Sequence, residues 1–318
     1  MVLIDELILQ GVQMTGVLLL PPLLLGVTRK IKARLLRRRG ASVFQPYRDL
    51  LRLLHKRPVM AENASWLFRA APYLIFAFTW SAAVLVPTFA TGLVLGRSAD
   101  LVAIIALLAA ARFVLALAGM DVGTSFGGIG SSREMMIAAL AEPAMMMVVF
   151  TLALIAGSTQ LFAIAAYMAS SAVGLRVSLG LSFLALMIVA LAENGRIPVD
   201  NPATHLELTM VHEAMVLEYS GRYLALIELA SAMKLLLYVS LIGCIFLPWT
   251  LVPAAGGWGA CILSFLFYIG KLTAAGAVLA LFETSIAKMR VFRVPDFLNV
   301  ALMMGLLATL LLFVSKGF

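Results

Sequence analysis

The chain alternates between long apolar runs and shorter polar segments. A helix needs about 20 mostly apolar residues to cross the ~30 Å hydrocarbon core of a bilayer. By that measure, we predict eight membrane spans, at about 5–28, 71–95, 100–119, 135–157, 176–193, 223–248, 258–282 and 297–315. The apolar stretch 158–175 is interrupted by small and polar residues, which favours an outer loop with a short helix. A ninth span is the alternative for that stretch.

Composition excludes a water-soluble protein. The chain is 63% hydrophobic and 13% charged, and a soluble fold of 318 residues could not bury that much apolar surface. A membrane β-barrel would show short segments of alternating polarity, which the sequence lacks. The predicted fold class is an all-α polytopic membrane protein with about eight transmembrane helices and a cytoplasmic amphipathic surface helix. We predict one transmembrane domain over residues 1–318.

The positions of the basic residues predict the orientation of the chain. Cytoplasmic loops of membrane proteins are enriched in Lys and Arg. Loops 29–70, 120–134, 194–222 and 283–296 hold 18 of the 24 Lys and Arg residues. We therefore place these four loops in the cytoplasm and both termini outside. The first six residues carry no basic group and no cleavage site is evident, so we expect the first span to be retained.

The first of these loops is strongly basic and contains a predicted surface helix. Seven cations fall within eleven residues: Arg29, Lys30, Lys32, Arg34, Arg37, Arg38 and Arg39. The stretch 47–56 is amphipathic, with apolar side chains opposite Arg48, Arg52 and Lys56. Such a segment binds anionic lipid head groups or docks beneath a soluble partner. We expect both roles, and binding to lipid alone is the alternative.

The second loop, MDVGTSFGGIGSSREM, is rich in glycine. No lysine follows where a phosphate cradle would need one, so we expect the glycines to allow another backbone to approach closely. Ser131 or Ser132 is predicted to cap a helix that starts near Arg133 and Glu134.

The third loop, 194–222, is acidic although the chain carries a net charge of +8. We predict a helix in it, capped by Asp200 or Asn201 and with Pro202 in its first turn. Its apolar stripe would be formed by Leu206, Met210 and Leu217. A plain solvated connector is the alternative. His205 and His212 lie two turns apart, a spacing that favours pairing with carboxylates or contact with a partner over metal binding.

Ionisable residues inside apolar spans are costly and usually functional. Glu142, Glu228, Lys234 and Lys271 lie within predicted spans, and Glu283 lies at the end of one. They form either structural ion pairs or a line of groups that exchange protons. The two cysteines, at 244 and 261, lack metal or cluster spacing, and no glycine-rich nucleotide loop is present. We therefore predict no metal and no redox cofactor in this chain.

Five stretches together resemble a known family. They are 26–54, 119–145, AENGRIPVD (192–200), LEYSGR (217–222) and ALFETSIAKMR (280–290). In this order they resemble the membrane subunit of energy-converting group 4 [NiFe] hydrogenases, the type found in formate hydrogenlyase and hydrogenase-4. That subunit is homologous to the membrane subunit nearest the quinone site of complex I. The chain departs from the family after Pro198-Val199-Asp200, where a dense run of glutamates is replaced by Asn-Pro-Ala-Thr-His.

The resemblance implies a membrane anchor and proton-coupling subunit of a multisubunit, membrane-bound [NiFe] hydrogenase in a prokaryotic cytoplasmic membrane. Its implied partners are hydrogenase-like large and small subunits, ferredoxin-like subunits and antiporter-like membrane subunits, with no nucleic acid. Iron–sulfur clusters and a nickel–iron site would lie in those other chains. One alternative is a complex I-type subunit that lines a quinone cavity. The other is a stand-alone ion transporter, which an inverted internal repeat would support, but none is found.

The candidate residues fall into two groups. The proton pathway is predicted to comprise Glu142, Glu193, Asp200, Glu207, Glu213, Glu218, Glu228, Lys234, Lys271 and Glu283. The interface with the peripheral arm is predicted to comprise Arg29, Arg34, Arg37, Arg38, Arg39, Tyr47, Arg48, Asp49, Asp121, Ser132, Arg133, Glu134 and Arg196.

Overall fold

The computed structural model describes residues 2–170, 176–200, 210–253, 256–287, 289 and 293–316. Over these residues the chain is almost entirely helical. The helices are α1 Val2–Leu35, α2 Gln45–His55, α3 Trp66–Leu85, α4 Leu101–Asp121, α5 Ser125–Ala156, α6 Leu161–Ala169, α7 Val177–Glu193, α8 His212–Val216, α9 Gly221–Phe246, α10 Trp258–Ser285 and α11 Val294–Lys316. The predicted all-α membrane fold is confirmed.

Seven helices in the described part are long and apolar enough to cross a membrane: α1, α3, α4, α5, α9, α10 and α11. The eighth predicted span corresponds to α7, which has 17 residues and a length of about 25 Å. It packs against α5 and α11. The predicted short helix in 158–175 is α6, although residues 171–175 lie outside the described part.

Three predicted span boundaries were wrong by seven residues or more. The first span, predicted to end at about 28, continues as helix to Leu35. The span predicted at 71–95 ends at Leu85, because Pro87 disfavours helical backbone at Val86, which is extended. The span predicted to start at 135 begins ten residues earlier, at Ser125. Its cap is Thr124, whose hydroxyl accepts a hydrogen bond from the Gly127 amide, and neither Ser131 nor Ser132 caps it.

The connections after α3, α5 and α9 meet at one end of the helix bundle. Strand β1 (Ala90–Thr91) pairs in parallel with β2 (Val252–Pro253). The amide of Leu101, where α4 starts, donates to the Thr159 carbonyl, and the Leu161 amide donates to the Ala99 carbonyl. These backbone hydrogen bonds hold together three connections that are distant in sequence.

The amphipathic helix predicted in the first basic loop is α2. It packs against α1 and α9, and the hydroxyl of Tyr47 donates to the Leu19 carbonyl in α1. Burial raises the pKa of Tyr47, so this hydroxyl keeps its proton. Helix α2 is therefore attached to the bundle.

Only part of the helix predicted in the acidic loop falls within the described residues. Residues 201–209, including the predicted cap Asn201, Pro202 and the stripe residue Leu206, lie outside the described part. The described helix, α8, has five residues. Met210 precedes it and is buried, but Leu217 follows it and is exposed. The predicted common apolar stripe is therefore wrong for Leu217.

Candidate functional site

One buried arginine gathers carboxylates from two other helices. Arg112 lies in the middle of α4, and its side chain is only 5% exposed. Its Nη1 is 3.2 Å from Oε1 of Glu142, and its Nε is 3.7 Å from Oε1 of Glu134, both on α5. Its Nη2 donates to Oε1 of Glu193, the last residue of α7. A guanidinium can do this because it presents five donors in a fixed plane.

A second cation completes the group. Nζ of Lys234, on α9, lies 2.8 Å from Oε2 of Glu193, whose side chain is 2% exposed. We call Arg112, Glu134, Glu142, Glu193 and Lys234 the central charge cluster. Three carboxylates face two cations, so the cluster carries one surplus negative charge when all five are ionised. Its most exposed carboxylate is Glu142, with a side chain 39% exposed.

A cavity of about 60 Å³ adjoins this cluster. Its lining includes Arg112, Glu134, Glu193 and Lys234, together with polar residues from the acidic loop, Asp200 and His212. A cavity of that size, with several polar partners, has room for a few water molecules. The cavity therefore links the acidic loop to charges deep in the bundle.

Glycines bring α8 close enough to form one wall of this cavity. A Cβ atom at Gly130 would lie 2.9 Å from both the Ala214 Cβ and the Val211 carbonyl oxygen. Arg133, one turn further along α5, donates to the Met210 carbonyl at 2.8 Å. The close backbone approach predicted for the glycine-rich segment is confirmed at this point.

A second, smaller ion-pair group lies where α1 and α10 meet the segment after α7. Glu283 accepts from Lys32 at 2.7 Å and lies 3.5 Å from Nη1 of Arg196. Burial lowers the pKa of Arg196, with a further reduction from the nearby charge of Arg29, although Glu283 acts in the opposite direction. An arginine has so high an intrinsic pKa that the side chain still stays charged.

The structure assembles only part of the predicted proton pathway. Glu142, Glu193 and Lys234 meet in the cluster, and Asp200 borders its cavity. Glu228 instead lies on an exposed face of α9, and Lys271 donates to the Leu247 carbonyl outside the cluster. The remaining predicted acids are placed differently: Glu213 lies in α8, Glu218 is exposed after it, Glu283 is in the second ion-pair group and Glu207 lies outside the described residues.

The predicted interface residues also separate into two kinds. The exposed ones are Arg29, Arg34, Arg37, Arg38, Arg39, Arg48 and Ser132. Others make contacts inside the chain: Asp121 accepts from the Ser65 amide, and Asp49 pairs with Arg52. Glu134 does not lie in a loop, because α5 starts earlier than predicted, and it faces Arg112.

Arg112 is the site residue that the sequence analysis did not select. The signal was present, because an arginine interrupts the otherwise apolar stretch LVAIIALLAAARFVLALAG. Charged residues at such depth face the interior of a helix bundle and pair with one another. What the sequence could not show is that three carboxylates converge on this one side chain.

Comparison with known proteins decides the family. A sequence model described as NADH dehydrogenase matches residues 9–314, which is nearly the whole chain. The chain belongs to the NADH dehydrogenase family. The resemblance inferred from the five motifs is therefore confirmed. In this chain, the central charge cluster is formed by residues of four helices, α4, α5, α7 and α9.

Similar family members include subunits of two hydrogenase systems. Formate hydrogenlyase subunit 4 of Escherichia coli is 32% identical over 86% of this chain and 88% of its own length. Hydrogenase-4 component C of the same organism is 35% identical over 73% of this chain and 72% of its own. A subunit of NADH-quinone oxidoreductase from Rickettsia bellii is 27% identical over 74% of this chain and 70% of its own.

A solved structure shares the fold. A chain of the membrane-bound sulfane sulfur reductase, an archaeal respiratory membrane complex, superposes with a TM-score of 0.82. The match covers 96% of this chain and 99% of the other, at 18% sequence identity. At that identity the likeness supports the helix arrangement.

Proposed function

We propose that this chain is the membrane anchor and ion-coupling subunit of a multisubunit oxidoreductase complex of the formate hydrogenlyase and hydrogenase-4 type. The observation that carries the proposal is the central charge cluster with its cavity, which reaches from the acidic loop into the bundle. Its relatives at 32% and 35% identity are named as subunits of those two hydrogenase systems.

The proposed role of the cluster is to take up and release a proton. One of its three carboxylates lacks a matching cation, so protonation of that carboxylate neutralises the cluster. Glu142 is suited to this exchange because it is the most exposed of the three. Glu193 is held between Arg112 and Lys234, so it serves to position both cations.

In this proposal the driving event is redox chemistry in a peripheral arm made of other subunits, which would hold the iron–sulfur clusters and the nickel–iron site. The arm would dock on the basic segment 29–57, the start of α5 and the acidic loop. A change of charge or shape in the arm would move Asp200, which lines the cavity, and Glu213, which follows the lining residue His212 in α8. The cluster would respond by changing its protonation, and antiporter-like membrane subunits would complete the path.

Substitution of the most exposed carboxylate tests the proposal. Glu142→Gln keeps the shape of the side chain but removes its titration, so we expect ion translocation by the reconstituted complex to be lost while the arm stays assembled. The matched control is Glu62→Gln, which changes an exposed loop carboxylate. Translocation by Glu142→Gln at the wild-type rate would contradict the role given to Glu142.

A complex I-type function, in which the chain lines a quinone cavity, is the second candidate. It is favoured by the 27% identity to the NADH-quinone oxidoreductase relative. Anaerobic purification in mild detergent separates the two, with co-purifying subunits identified and metals counted. Nickel together with iron supports the hydrogenase type. Iron without nickel, with inhibition by quinone analogues, supports the quinone type.

A further inference from the structure

An apolar groove lies between α7, α9 and α10, apart from the central charge cluster. Its volume is about 390 Å³, and its lining includes Met187, Val239, Ile242, Gly243, Val278 and Leu279. The groove opens at the surface, where the side chain of Val278 is 60% exposed. Because α10 is exposed in the membrane region, this surface is in contact with the bilayer or with a neighbouring chain.

The dimensions of the groove match one lipid tail. Along α10 it runs from Lys271 to Phe282, twelve residues with a rise of about 17 Å, close to one leaflet of a ~30 Å hydrocarbon core.

The two ends of the groove carry different charge. Near the last turn of α9 the groove is lined by Phe183, whose ring packs against Phe246 with centroids 5.0 Å apart. Lys271 contributes its aliphatic stem there, and its ammonium donates to the Leu247 carbonyl. At the other end lies Arg196, with Lys32, Glu283 and the nearby charge of Arg29. Three cations against one carboxylate leave a net charge of +2.

We propose that this groove binds an anionic phospholipid, with an acyl chain along α9 and α10 and its head group at Arg196, Lys32 and Arg29. The apolar walls accept the hydrocarbon, and the surplus positive charge selects the negative head group. The proposal does not rest on the coupling role of the cluster, because none of the five cluster residues lines the groove.

The experiment is native mass spectrometry of the protein purified with its co-purifying subunits, stripped of lipid and then supplied with phosphatidylglycerol or phosphatidylcholine. We expect at least a roughly tenfold preference for phosphatidylglycerol from two surplus cations near the membrane surface. Arg196→Gln should reduce that preference roughly fivefold, because it removes one of them.

A steric variant tests the position of the acyl chain. A Cβ atom at Gly243 meets nothing within 4 Å, so we expect Gly243→Phe to place its ring in the groove. Gly270→Phe is the control, since Gly270 is exposed on α10, is equally unobstructed and does not line the groove. We expect lipid retention to fall at least tenfold in Gly243→Phe and to stay unchanged in Gly270→Phe, with equal melting temperatures.

Three results would overturn the proposal. The first is equal retention by the two phenylalanine variants. The second is equal affinity for the two phospholipids. The third is a groove occupied in the purified complex by an isoprenoid quinone or by a segment of another subunit.

Discussion

At the scale of single residues, the central charge cluster is organised around Arg112. Its guanidinium faces Glu134, Glu142 and Glu193, and nearly all of it is removed from solvent. Removing one partner of a buried ion pair costs more than the pair itself contributes, because the other charge stays buried without compensation. Arg112, together with Lys234, therefore stabilises the charged form of Glu193 inside the bundle.

Arg112→Gln is expected to destabilise the chain by about 3–5 kcal/mol, because Glu193 loses one of its two cations. Adding Glu193→Gln should restore part of that stability, since the uncompensated carboxylate is then also removed. Melting temperatures of the single and double variants measure this coupling. Arg176→Gln, at an exposed arginine, is the control. Strictly additive effects of the two substitutions would contradict the pairing.

Tyr219 gives a prediction that depends on pH. Its hydroxyl donates to the Phe68 carbonyl at 3.0 Å, and its ring stacks on the Phe68 ring with centroids 4.0 Å apart. Burial raises the pKa of Tyr219 above its ordinary value of 10.0, with a further increase from the charge of Asp121. The unfolded chain therefore loses this proton at lower pH than the folded chain.

It follows that the contribution of Tyr219 is complete below pH 10 and decreases as pH rises from there towards the folded pKa. Tyr219→Phe should cost about 0.5–1.5 kcal/mol at pH 7, from the lost hydrogen bond. The difference between the two proteins should shrink above pH 10. Melting temperatures measured from pH 7 to pH 11 check this. A difference that stays constant across that range would mean that the hydroxyl does not control the effect.

At the scale of elements, α5 shows both the reach and the limit of the sequence pattern. The glycine-rich segment was predicted to be a loop, since glycine disfavours helix by about 1 kcal/mol relative to alanine. In the structure it is the first two turns of α5, because contact with α8 outweighs that intrinsic cost. The predicted purpose of the glycines, close approach by another backbone, was right where the predicted secondary structure was wrong.

Two alanine substitutions on α5 separate these effects. Gly130→Ala places a Cβ atom 2.9 Å from Ala214 and from the Val211 carbonyl, so we expect a loss of about 1–3 kcal/mol through overpacking. Gly128→Ala meets nothing within 4 Å and should stabilise the chain by up to about 1 kcal/mol through helix propensity. Thermal unfolding of the two variants, compared with the wild-type chain, measures both changes in stability. Equal effects would show that α8 can move away from α5 without cost.

At the scale of the whole molecule, the apolar runs predicted the helices well and their contacts hardly at all. Hydrophobic length locates a span, so α4, α7, α9, α10 and α11 begin and end within about three residues of prediction. The pattern does not say which faces meet. Glu228 and Lys234 lie on one helix with similar sequence surroundings, yet Lys234 pairs with Glu193 and Glu228 is exposed. That difference comes from how α9 is rotated against its neighbours.

The orientation of the bundle in the membrane is a separate prediction, because the helix arrangement is the same in either direction. The basic segment and the loop before α4 lie at opposite ends, so they should be accessible from opposite sides.

A single introduced cysteine measures the accessibility of each end. Ala41 is suited to the basic segment and Ser98 to the loop before α4, because both are exposed. The background needs Cys244→Ser and Cys261→Ser, which are small changes at buried positions. The excess of Lys and Arg predicts that a membrane-impermeant thiol reagent added to intact cells labels Ala41→Cys poorly and Ser98→Cys fully. In inverted membrane vesicles the two results should exchange. The opposite pattern would place the basic segment, and the docking face proposed for the peripheral arm, on the outer side.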